Sequence, residues 1–149
     1  VIPYLINAPT NQETSLKLWV FVIAALGVSL AGCHSGHRPP APLGERAALE
    51  KLASAYDTVS EQLPIAPTGL TPQGKLRFVQ QVFDQAGYDF SATLQALAQT
   101  PPGSLGTYHK DMMELVLLPD QGLSEQAAEQ LYSAEQLASI KTIKALSTR

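Results

Sequence analysis

The sequence predicts an all-α protein, a small bundle of five or six short helices standing behind a separate N-terminal region. Three observations carry this prediction. From residue 45 onward the apolar residues recur at threes and fours, the spacing of one face of a helix, rather than at twos. Hydroxyl and carboxylate residues, prolines and glycines fall where helices would start and stop. The β-branched residues never gather into two runs that could pair as strands.

The first helix is expected to carry Leu49, Leu52, Ala53, Tyr56, Val59 and Leu63 on one face, with Pro64 and Pro67 ending it. Thr71-Pro72 then supplies a capping hydroxyl followed by a proline suited to the first helical position. Leu76, Val79, Val82, Phe83 and Ala86 make the second stripe, closed by Gly87. Asp89 or Ser91 can cap a short third helix through Leu94, Leu97 and Ala98, stopped at Pro101-Pro102-Gly103. Thr107 is expected to cap a fourth, whose Met112, Met113, Leu115, Val116 and Leu118 are almost continuously apolar before Pro119. Glu114 to Leu118 has a strand's composition but no partner run, which favours a buried helix. Ser124 caps a fifth helix. Ser133 with Gln136 forms a capping box for a sixth, through Leu137, Ile140, Ile143 and Leu146. Glu125, Glu129 and Glu135 stand toward helix starts and Lys141, Lys144 and Arg149 toward the last helix's end, as the helix dipole favours.

The chain has 149 residues, room for one domain with a modest core. Its formal charge of −3 is spread along the sequence, so no basic patch marks a phosphate backbone as partner and nucleic acid is not expected. A single cysteine, Cys33, excludes an internal disulfide and needs another role.

That role is suggested by what precedes it. Leu18 to Ala31 is an uncharged, almost wholly apolar run of fourteen residues, entered from Lys17 and ended by Gly32-Cys33. As a helix it would extend about 21 Å, short of the roughly 30 Å of a bilayer's hydrocarbon. A cation, an apolar run of this length and small residues before a cut are the parts of a secretory signal, here Leu16 to Gly32. Leu30-Ala31-Gly32-Cys33 resembles the lipobox of bacterial lipoproteins at all four positions. The resemblance implies that Cys33 receives a thioether-linked diacylglycerol and, after cleavage before it, an N-acyl chain. It also implies that Leu30, Ala31 and Gly32 are read by the signal peptidase. Two or three long acyl chains anchor firmly, since each buried methylene contributes about 0.8 kcal/mol. No other cofactor is expected. His34, where the family's inner-membrane proteins commonly carry aspartate, implies the periplasmic face of the outer membrane. Val1 to Ser15 is unlike a signal start, and Leu16 is expected to be the translation start, from a leucine-type codon, with residues 1 to 15 an over-extended reading frame.

Residues 33–44, with Pro39, Pro40 and Pro42, read as the lipidated cysteine and a flexible tether, and residues 45–149 as the helical domain. Candidate chemistry is sparse. Cys33, His34 and His37 lie within five residues, but a lipidated sulfur is no thiolate ligand and no fourth ligand is near. Glu125 with Glu129, and Asp57 with Glu61, sit one turn apart and read as solvated helix faces. Met112 and Met113 belong either to the core or to an adaptable groove, the core being favoured. The expectation is a non-enzymatic, lipid-anchored interaction module, bound to the membrane by its lipid and to a protein partner in the cell envelope. Two alternatives stand beside it. One is a small envelope enzyme or enzyme inhibitor whose site gathers Tyr108, His109 and Asp111 with Tyr88 or Asp89. The other is a structural lipoprotein that self-associates through an exposed helix face.

Overall fold

The computed structural model describes residues 37–149, and these are all-helical. The expected leader, the signal peptide, Leu30, Ala31, Gly32 and Cys33 lie outside the described residues. Six α-helices follow in order: α1 Arg46–Ser60, α2 Pro72–Ala86, α3 Phe90–Ala98, α4 Thr107–Val116, α5 Glu125–Leu131 and α6 Ala134–Ser147. Short 3-10 turns at Pro67–Gly69, Pro102–Ser104 and Leu118–Asp120 join them, each with proline in its first two positions.

Local chemistry sets most of these boundaries. Thr71 Oγ1 accepts from the Gly74 amide at 3.1 Å, Asp89 Oδ1 from Ala92 at 2.6 Å and Ser124 Oγ from Ala127 at 3.2 Å. Ser133 and Gln136 close a reciprocal capping box, both bonds 3.2 Å long. Gly87 ends α2 with φ +85°, a left-handed conformation that glycine adopts without the Cβ clash. The fourth helix departs from expectation. Thr107 is its first residue rather than its cap, which is Gly106, whose amide donates to His109 Nδ1 at 3.2 Å.

One core joins the six helices. α1 lies along α2, α3 packs on α6, and α2 also carries the Leu118–Asp120 turn. Phe78, Phe83, Leu52, Leu94, Leu97, Met112, Met113, Ile140 and Ile143 are fully buried at its centre. Tyr56 meets Phe78 edge-on with centroids 4.9 Å apart, and Phe83 meets Phe90 likewise at 5.5 Å. The buried stripe of α1 is Ala48, Leu52, Ala55 and Val59, with Leu49 and Tyr56 at its margin and Ala53 exposed. Ala48 and Ala55 are buried beside Leu52 and Val59, so the inner face is built from small residues as well as large ones.

The segment read as a flexible tether is in part packed. Arg38 pairs with Asp84, the Pro39 carbonyl accepts from the Asp89 amide at 2.8 Å, and the Ala41 amide donates to Thr93 Oγ1 at 2.9 Å. Ala41 is buried, and Gly44 turns the chain into α1 with φ +73°. Prolines rule out a helix here without ruling out burial. The hydroxyl of Thr93, itself donating to the Asp89 carbonyl at 2.7 Å, gives the strap a fixed acceptor on α3.

Candidate functional site

A cleft of about 540 Å³ opens where α4 ends, the Leu118–Asp120 turn begins and α6 finishes. Met113, Leu117 and Leu123 give it an apolar floor; Lys110, Glu114, Asp120 and Lys144 bring charge to it. Two helix C-termini converge here, which makes the surroundings acceptor-rich. Asp120 is 6% exposed, and its Oδ2 accepts from Lys144 Nζ at 2.7 Å. Its Oδ1 and the Tyr132 hydroxyl are both buried without a hydrogen-bond partner in the protein. Burial first, and then the nearby Asp120 charge, push the Tyr132 phenol well above its ordinary value, so it stays protonated. The Asp120–Lys144 ion pair ties α6 to the turn after α4.

Sequence reasoning placed Lys144 only as a cation near the end of the last helix, and singled out none of Asp120, Tyr132 and Thr93. Thr93 had a signal, because it shares the inner face with Phe90, Leu94 and Leu97. Asp120 had none: nothing in Leu-Pro-Asp says that the carboxylate is turned inward.

The residues of the enzyme alternative have structural occupations. His109 caps α4 through Nδ1 and underlies Gly44. Asp89 caps α3, and Tyr88 is buried with Lys51 Nζ 5.5 Å from its ring centre. Tyr108 is exposed. Asp111 faces a small groove of about 210 Å³ with Leu49, Tyr56, Asp57 and Leu115. The three clefts described for the body, including one of about 330 Å³ between α1 and α2 beside Lys51, do not bring the set together.

The paired carboxylates Asp57, Glu61, Glu125 and Glu129 are all exposed. Lys141 Nζ donates to Glu125 Oε1 at 3.0 Å; that bond and the charge behind it hold the Glu125 carboxyl below its ordinary value and Lys141 above its own. Met112 and Met113 are core residues, 0% and 1% exposed, although Met113 reaches the cleft floor. Among the described residues no group of three or more His, Cys, Asp or Glu is placed to hold a metal, and no helix is long and apolar enough to cross a membrane. Compared with known protein families, curated proteins and solved structures, the chain matches none.

Proposed function

We propose that the protein is a lipid-anchored helical module that binds a protein partner in the bacterial envelope without catalysing a reaction. The observation that carries this reading is Leu30-Ala31-Gly32-Cys33, which closes the fourteen-residue apolar run from Leu18 to Ala31. Cys33 carries the diacylglycerol and N-acyl chains, Leu30 to Gly32 are the peptidase's recognition residues, and His34 directs the protein to the periplasmic face of the outer membrane.

The body supports an interaction role of a limited kind. Among the described residues only Ile65 and Tyr108 are large apolar side chains with substantial exposure. That surface gives little for a self-associating helix face to use. The mixed apolar and charged cleft beside Lys144 and Asp120 is the concavity suited to a partner's side chains.

The test is intact mass and membrane fractionation of the full chain expressed in a bacterial host, beside Cys33→Ser. The expected wild-type product has lost residues through Gly32, gained acyl mass and fractionated with the outer membrane, while the variant has done none of these. An unmodified, unanchored wild type overturns the reading.

A further inference from the structure

A lipid anchor on Cys33 would set the membrane distance of whatever part of the body the chain next touches. A freely moving tether from Cys33 to Gly44 has eleven Cα steps and extends to about 40 Å, enough for the body to tumble. The packed strap removes most of that reach. Arg38 is tied to Asp84 in the last turn of α2, the Pro39 carbonyl to the Asp89 amide at the cap of α3, and Ala41 to Thr93 one turn further on. From Cys33 to Arg38 there are five steps, at most about 18 Å.

We infer that Arg38–Gly44 is a short rigid mount which, with Cys33 lipidated, holds the junction of α2 and α3 toward the bilayer surface and turns the opposite end of α2 away from it. This rests on the anchored reading above. The leash is shorter than α2 itself, whose fifteen residues make a rod of about 22 Å. The junction around Asp84, Gly87 and Asp89 therefore stays within the leash's reach of the headgroups. The start of α2 and the Pro64–Leu70 loop, where Ile65 is exposed, stand farther out on average. A partner then meets the outer end of α2 more readily than the junction.

Once Cys33 is in thioether linkage, the chain has no other thiol, so a cysteine placed on α2 can be labelled alone. Gln73 and Gln85 are both exposed, near opposite ends of the helix, and twelve residues separate them, about 18 Å along its axis. The full chain carrying Gln85→Cys or Gln73→Cys is purified from a bacterial host and reconstituted into vesicles bearing a headgroup-attached energy acceptor. Intact mass is read first, and then quenching of the label. The mount predicts an acylated chain with quenching about twofold or more stronger at position 85 than at 73, given that offset. It also predicts that the difference collapses when a Gly-Ser segment of about 20 residues, with a mean span near 25 Å, is inserted between Gly36 and His37. A chain without acyl mass overturns the anchored reading and the mount with it. An acylated chain with equal quenching at the two positions overturns the mount alone.

Discussion

Gly44 and Gly87 both occupy left-handed backbone, at φ +73° and +85°, yet their surroundings differ. A Cβ at Gly87 would meet nothing within 4 Å, whereas one at Gly44 would lie 2.7 Å from His109 Cε1. Gly87→Ala should therefore cost only the conformational strain, about 1–2 kcal/mol. Gly44→Ala should cost roughly 1 kcal/mol more, because the displaced imidazole gives up the Gly106 amide. Chemical denaturation of both variants checks the order, and a Gly44→Ala/His109→Ala double variant should be less destabilised than the two single changes add to. Tyr132 is a second residue whose surroundings decide its behaviour. Its hydroxyl is buried and unpartnered, so Tyr132→Phe should be neutral or stabilising near neutral pH. The folded-state phenol is raised, so its contribution is fully present below the ordinary tyrosine range and is lost as pH climbs above it toward the folded value. The variant should accordingly lose less stability than wild type between neutral and strongly alkaline pH, as denaturant midpoints across that range would report.

The six helices were legible in the sequence for a physical reason. Caps such as Thr71, Asp89, Ser124 and the Ser133-Gln136 box act through bonds spanning three residues, so a local reading contains all the partners. The start of α4 was not legible to the same degree: its cap, Gly106, has no side chain to signal it, and the His109 ring that accepts its amide is placed beneath Gly44, a contact the fold has to create. The buried Asp120 and its pairing with Lys144 are also products of the fold, joining elements more than twenty residues apart. Lys144 is half-exposed while Asp120 is not, so Lys144→Met should cost about 2–3 kcal/mol, below the full penalty for stripping a partner from a wholly buried pair. Lys144→Arg should recover most of it, and thermal melts of the three proteins give the comparison. The proposed anchor motif was legible for another reason: a peptidase reads four consecutive residues, here Leu30 to Cys33, so the whole signal lies in the sequence pattern.

At the scale of the whole molecule, the core runs through all six helices and leaves few large apolar side chains outside it among the described residues. The boundary between tether and body was the feature least visible beforehand. Composition places it after Gly44, where three prolines give way to helical spacing. The packing places it at His37, where the body's compact unit begins. Proline content reports what a backbone cannot form, and leaves open whether a neighbour such as Thr93 will receive its amides.

Ala41 turns that boundary into a practical matter of where the protein can be cut. A chain begun at Glu45, the place its composition invites, discards a residue that is 2% exposed, uncovers the face of α3 around Thr93 and breaks the link to Asp84. Such a fragment should melt below one begun at His37, as circular dichroism of the two would show. An investigator who trimmed at the prolines would be studying a domain with one of its walls removed.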